Sequence, residues 1–345
     1  MENKKLSVQK SILWNSVGSL IYLATQWLIT ILVVRLAGVD AAGNLALAMS
    51  VGNLMYSIAL FGMRNFQVSD IVEEYRNGVY IASRLITCFV SVIIGTVYVL
   101  CMSYTAEQRW CIGIYCVFKA SEALYDVYAG ISQKVWRMDY IGKSWVIKGI
   151  CTFVAFCGVL YLTKNIVFAI LAMTIVSFVV ILIYDIPKNR EIAEISILWK
   201  GKEIASLLYK CIPLLVYSML TTAIATIPRL ILEKICGSYA LGIYGSVAAP
   251  TMIVQMGASY IYSPFITLFA ERYHHKDKRG FWIAFRNCFL AIAVLSVCAM
   301  IGGKLLGHWG LMLLYGKEVA VHEALLLPLI AATILTAILW LFCGI

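Results

Sequence analysis

Residues 165–187 read NIVFAILAMTIVSFVVILIYDIP. A run of this length and apolarity is what a helix needs to cross the hydrocarbon core of a bilayer, about 20 residues. Continuous helix is the default there, because lipid offers backbone groups no partners. Working outward, similar runs fall at 11–34, 43–63, 80–104, 109–131, 145–163, 204–232, 238–266, 281–303 and 319–343. The predicted fold class is therefore all-α integral membrane, with about ten transmembrane helices. The first run is too long for the apolar region of a cleaved signal peptide, and no small-residue cleavage site precedes a soluble domain.

Composition points the same way. Only 13% of the 345 residues are charged and 62% are hydrophobic, against about 25% charged in a soluble domain. Disordered and disulfide-rich classes are excluded, the first by apolarity and the second by length. The 11 cysteines lie within apolar runs without a C-x-x-C pair, and read as small buried hydrophobes. The 4 histidines show no metal-ligand spacing. No metal, cofactor or catalytic residue is expected.

Lys and Arg set the orientation, because cytoplasmic loops carry their excess. With the N-terminus inside, 20 of the 28 basic residues fall in inside segments, Arg64, Arg84 and Lys148 among them, and 6 fall outside. Lys119 and Arg229 remain within spans. The net charge of +10 is thus topology and not a nucleic-acid face. Tryptophans fall near both boundaries, where amphipathic rings prefer to sit.

Two stretches match at an offset of 199 residues: Arg35-Leu-Ala-Gly38-Val-Asp-Ala-Ala-Gly43-Asn-Leu45 and Lys234-Ile-Cys-Gly237-Ser-Tyr-Ala-Leu-Gly242-Ile-Tyr244. The pattern suits a turn between antiparallel helices. The first glycine ends one helix in a left-handed conformation, and the second lets the next helix start in close contact. The repeat is parallel, since both copies begin inside after an even number of spans. It predicts an N-lobe at 1–187 with six spans, a cytoplasmic linker at 188–203 and a C-lobe at 204–345 with four spans. Two such lobes facing a central cavity is a transporter plan. The offset also predicts a second copy running to about residue 386, about forty residues or two helices past Ile345.

Ionisable groups at membrane depth are costly and face a cavity or a partner. Lys119, Glu122 and Asp126 lie on one helix face, and Lys119 and Glu122 are i,i+3 neighbours that can pair. They are read either as cavity-lining or as a neutralised pair that stitches helices together. Arg229 follows Pro228, with Glu233 one turn on, which suits a kinked gate or anion site, or a side chain snorkelling outward beside Glu233. Arg35 is similar but nearer the boundary. Asn15, Gln26, Asn53 and Gln255 either line the same cavity or bond helix to helix. Pro213, Pro228, Pro250, Pro264 and Pro328 all lie in the second half, which is expected to bend more.

The opening Lys10-Ser-Ile-Leu-Trp-Asn15-Ser-Val-Gly18, the Arg35-x-x-Gly38-x-x-x-x-Gly43 turn and the later Arg229-x-x-Leu232-x-x-x-x-Gly237-x-x-x-x-Gly242-x-Tyr244 resemble the polysaccharide flippases of the multidrug/oligosaccharidyl-lipid/polysaccharide exporter superfamily. Gly62-Met-Arg64-Asn-Phe66 and Leu314-Tyr-Gly316-Lys also fit. The resemblance covers essentially the whole chain. It implies a flippase of a bacterial inner membrane, with a cytoplasmic N-terminus. Its cargo would be undecaprenyl-pyrophosphate-linked oligosaccharide units of lipopolysaccharide O-antigen, capsule or exopolysaccharide. The implied partners are the lipid-linked oligosaccharide, membrane lipids and other polysaccharide-assembly membrane proteins. Arg35, Lys119 and Arg229 are then the candidates for phosphate and sugar contacts, and Glu122 and Asp126 either couple protons or ions or neutralise Lys119. Such proteins usually have twelve or more spans, and about ten are read here.

The nearest alternative is a multidrug antiporter of the same superfamily, which is expected to favour acidic cavity walls. A membrane polymerase or glycosyltransferase needs a large outer loop or a cytosolic catalytic domain, and no segment between spans exceeds roughly twenty residues. A non-transporting scaffold is a third class. No G-x-x-x-x-G-K-[ST] motif occurs, so direct use of ATP is not expected.

Overall fold

The computed structural model describes the backbone of residues 8–70, 73–274 and 276–343. Lys4 and Lys5, two of the inside charges, lie outside them. The described chain is helical with no strand. Its helices are α1 (Val8–Ala37), α2 (Val39–Leu60), α3 (Met63–Ser69), α4 (Asn77–Cys101), α5 (Ala106–Lys134), α6 (Met138–Thr163), α7 (Ile166–Val180), α8 (Ile186–Arg190), α9 (Gly201–Ala248), α10 (Thr251–His274), α11 (Lys278–Tyr315), α12 (Lys317–Ala320) and α13 (Leu326–Cys343). A π turn, Ile181–Asp185, joins α7 to α8. Among the described residues, seven stretches are long and apolar enough to cross a membrane. Helix α5 is long enough too, but Lys119, Glu122 and Asp126 lower its hydropathy.

Local chemistry sets the helix ends. Thr105 and Gln108 close a reciprocal capping box at the start of α5, which satisfies donors that the first turn leaves orphaned. The Asn165 side chain accepts from the Val167 amide at 2.9 Å and opens α7. Phe61 and Gly62, both left-handed, separate α2 from α3. In α9, Pro213 and Pro228 sit within continuous helix, and the non-helical residue inside it is Gly237. That break falls nine residues after Pro228, at the repeat glycine.

The chain forms two compact units, Met1–Gly242 and Ile243–Ile345. The first inverts the pattern of a water-soluble protein. Helix α4 fully buries Arg84 and Ser83, yet leaves Phe89 68% and Val97 54% exposed. Such a helix is stable when its outward face meets lipid. Helices α1 and α6 approach at backbone distance. A methyl group added to Gly18 would strike the Gly142 carbonyl, and one on Gly142 would strike the Trp14 carbonyl. Gly149 likewise lies against the backbone of Tyr22. Small residues at such a seam let dispersion contacts replace the hydrophobic drive that lipid removes.

The repeat is visible in the backbone. Gly38 has φ 90° and Gly237 φ 81°, each with ψ 176°. Gly43 lies against the backbone of Ser238, and Gly242 against the Val39 carbonyl. These contacts are reciprocal, because residues 39 and 238, like 43 and 242, are related by the same 199-residue offset. A parallel repeat about a local two-fold axis produces this exchange. In the second unit, α10, α11 and α13 pack around Phe269, Ala284, Cys288 and Ile292.

Candidate functional site: a buried charge network

Helix α5 runs through the first unit and buries most of its second half. Its charged residues form two clusters with partners on α1, α3 and α4, and a third lies beside it between α6 and the π turn.

The first is Lys119 with Glu122. Lys119 Nζ lies 2.6 Å from Glu122 Oε2, and their side chains are 14% and 3% exposed. The Tyr22 hydroxyl, on α1, donates to Glu122 Oε1. Gly52 of α2 makes room: a methyl group there would run into the Tyr115 ring and touch Lys119. The ammonium also sits 5.1 Å from the Tyr56 ring centre and 5.6 Å from that of Phe118. Rings at that distance stabilise a cation through their quadrupoles.

The second is Asp126, which does not join the Lys119 pair although it shares the same helix. Arg84 Nη2 reaches its Oδ2 at 2.9 Å and Arg64 Nη1 its Oδ1 at 3.0 Å. Arg84 Nη1 also donates to the Ala59 carbonyl at 2.7 Å, and Arg64 Nη2 to Gln133 Oε1 at 2.8 Å. The carboxylate is gripped on both oxygens by groups that do not lose their protons.

The third is Lys148 on α6 with Asp185 at the end of the π turn. Lys148 Nζ is buried and donates to no partner among the described residues. It lies 4.1 Å from the Tyr125 ring centre and 5.9 Å from that of Trp145. Trp145 in turn packs 4.3 Å from Tyr22 and 4.9 Å from Tyr125, linking α1, α5 and α6. Asp185 Oδ2 also lacks a partner among the described residues. Its backbone carbonyl is tied by Asn189 Nδ2 at 2.9 Å, and Asn189 Oδ1 accepts from Ser132 Oγ at 3.0 Å.

The other candidates lie apart. Arg35 is exposed at the end of α1. The Asn15 backbone faces Gly142 on α6. Asn53 is half-buried on α2, and its carbonyl accepts from Ser57 Oγ at 3.2 Å. Arg229 is half-buried on α9, and its Nε lacks a partner among the described residues. Glu233, expected beside it, instead accepts from Gln108 Nε2 of α5 at 2.8 Å. Gln255 is in the second unit, on α10. Arg84 and Lys148, counted with the inside segments, are both fully buried. Asp185 and Tyr22 were not singled out in the sequence. The signal for Arg84, Lys148 and Asp185 was their position inside the predicted runs 80–104, 145–163 and 165–187.

At one end of the unit, Asp70 caps the loop between α3 and α4. It accepts the amides of Glu74 at 2.9 Å and Tyr75 at 3.2 Å and the Tyr80 hydroxyl at 3.0 Å. Burial pushes its pKa up, but these donors and Lys134 outweigh that and hold it below the usual carboxylate range. Close by, Lys210 of α9 pairs with Glu74, and Tyr75 shares a 2.9 Å hydrogen bond with Ser206.

No family model matches the chain. It is 25% identical over 318 residues to the capsular polysaccharide biosynthesis protein CapF of Staphylococcus aureus, covering 91% of this chain and 78% of that one. Among solved structures, it is similar to an inward-facing multidrug resistance MATE family transporter of the MOP superfamily. That match has a TM-score of 0.68 at 13% identity, over 97% of this chain and 84% of that one. The MATE multidrug transporter DinF-BH gives 0.64 at 12%, over 100% and 83%. A MOP superfamily transporter from Pyrococcus furiosus, described by the reverse polarity of its binding pocket, gives 0.57 at 15%, over 98% and 82%. The fold is thus that of the MATE transporters.

Proposed function

We propose that this chain moves an anionic, lipid-linked oligosaccharide across a bacterial inner membrane by alternating access, its N-terminus on the cytoplasmic side. The observation that carries the reading is the sign of the buried network. Arg64, Arg84, Lys119 and Lys148 face the three carboxylates Glu122, Asp126 and Asp185 in the first unit, one cation in excess, while on α9 the half-buried Arg229 is matched by the buried Glu233. Charges inside a low-dielectric membrane act over longer distances than in water, so this excess of cations favours an anion. A pyrophosphate presents oxygens that ammonium and guanidinium groups hold through charge-assisted hydrogen bonds. The similarity to a capsular polysaccharide biosynthesis protein over most of the chain supports the same substrate class. Lys119, Arg229 and Arg35 are the proposed phosphate and sugar contacts, with Asn15, Asn53 and Gln255 as further candidates. The lipid tail stays in the bilayer while the sugar crosses between lobes at 1–187 and 204–345.

The second reading is a multidrug antiporter, supported by the solved MATE structures of that description. An accumulation assay in cells lacking their own flippase separates the two. The flippase reading predicts that the chain lowers lipid-linked oligosaccharide on the cytoplasmic face without changing drug efflux. Undiminished accumulation together with raised efflux overturns it in favour of the antiporter.

A further inference from the structure

We propose that Lys148, Glu122 and Asp185 form a proton-binding switch inside the first unit, in which one buried ammonium is shared between two carboxylates on different helices. The proposal uses the transport reading only to say what the switch drives; the switch itself is read from the buried groups.

An ammonium at membrane depth is expected to face an acceptor, and Lys148 Nζ hydrogen-bonds none among the described residues. Rings of Tyr125 and Trp145 hold it instead. The carboxylates whose charges act on it are Asp185 and Glu122. Glu122 is already bonded by Lys119 and Tyr22. Asp185 is 3% exposed with an unpartnered Oδ2, and Ser144, near enough to act on it, makes no hydrogen bond of ordinary geometry. The ammonium therefore hydrogen-bonds neither acceptor, and the Tyr125 ring it lies against shares a small cavity with Asp185.

The backbone supplies a moving part. Asp185 ends the π turn Ile181–Asp185, and such one-turn widenings interrupt the helix ladder, frequently at functional sites. Asn189 and Ser132 tie the Asp185 carbonyl while leaving its carboxylate unheld. Asp126 shows the contrast, since two guanidiniums occupy both its oxygens. Its place in the network is set by those two bonds, whereas the carboxylate of Asp185 has no such grip.

The proton step is simple. A proton reaching the Asp185 carboxylate makes it a neutral acid. Lys148 keeps its own proton and is then drawn toward Glu122; loss of that proton from Asp185 returns it. The groups that face the switch are Tyr22 from α1, Lys119, Tyr125, Asp126 and Tyr128 from α5, Tyr140 from α6, Tyr184 beside Asp185 and Lys188 from α8, with Arg64 of α3 near Tyr125. Each uptake adds one positive charge to a network that ends at Lys119, and so strengthens the hold on an anion there. Release weakens it.

Infrared difference spectra of the full chain in lipid nanodiscs, taken between acid and alkaline pH, test this through the carbonyl stretch of protonated carboxyl groups. A titrating band is expected in the wild type. It should be lost in Asp185→Asn, moved but kept in Asp185→Glu, and shifted in Lys148→Met and Glu122→Gln, with monodisperse elution as the folding check. If Asp185→Asn does not fold, Asp185→Glu still decides, because an unmoved band there overturns the proposal. A band unchanged in Asp185→Asn, or no band in the wild type, also overturns it. Should the band behave as expected while the chain fails to relieve oligosaccharide accumulation, the switch stands and the flippase reading falls.

Discussion

Asp126 and Asp185 are both carboxylates buried inside the first unit, 7% and 3% exposed, and their surroundings differ in completeness. Asp126 has a guanidinium on each oxygen, and those guanidiniums are anchored to Ala59 and Gln133. Asp185 has an oxygen without a partner and faces an ammonium without one. A closed set of charges has one arrangement and holds helices in place. An open set leaves room for a second arrangement, which is what a switch needs.

The sharpest way to break the comparison is to remove one charge from each set. Asp126→Ala leaves two guanidiniums uncompensated in the membrane interior and should cost about 3–5 kcal/mol, read as a large drop in thermal unfolding temperature in a fixed detergent. Lys148→Met removes an ammonium that makes no hydrogen bond. It leaves Asp185 without its cation, but that carboxylate, which no guanidinium holds, can be neutralised by a proton, so the loss should be smaller than in Asp126→Ala. Equal losses in the two variants would erase the distinction.

The hairpin glycines give the next largest effect. Gly43→Leu drives a side chain into the Ser238 backbone and should destabilise by about 1–3 kcal/mol, as overpacking does. Gly113→Leu, where nothing lies within 4 Å, should stay within about 0.5 kcal/mol of the wild type. The same melting experiment compares the pair.

Asp70 gives the smallest effect. Its folded pKa is held below the ordinary value of 3.8. The stability it contributes is present above that unfolded value and is lost as pH falls through the lower folded one. The unfolding midpoint of the wild type should therefore drop on acidification in this window by an increment that Asp70→Asn lacks.

Much of this architecture was legible in the residues, and the reasons can be named. The apolar runs placed the helices because lipid demands them, and the Gly38 and Gly237 match anticipated two turns of the same backbone shape. The i,i+3 spacing anticipated the Lys119–Glu122 pair. What spacing along one helix cannot reveal is a partner on another. The grip of Arg84 on Asp126 joins residues 42 positions apart, and Arg84 was counted only for orientation, because such rules count bases near span ends without asking which way they face. Lys148 was hidden the same way. Glu233 shows the converse: its neighbour in sequence is Arg229, but its partner in space is Gln108.

The most direct test is the oligosaccharide accumulation assay run with Lys119→Met beside Lys119→Arg, each matched for membrane expression. If an ammonium or guanidinium here holds the pyrophosphate, Lys119→Met should accumulate unflipped lipid-linked oligosaccharide while Lys119→Arg retains most of the flipping. Flipping by Lys119→Met at the wild-type level would contradict that role for the buried cation.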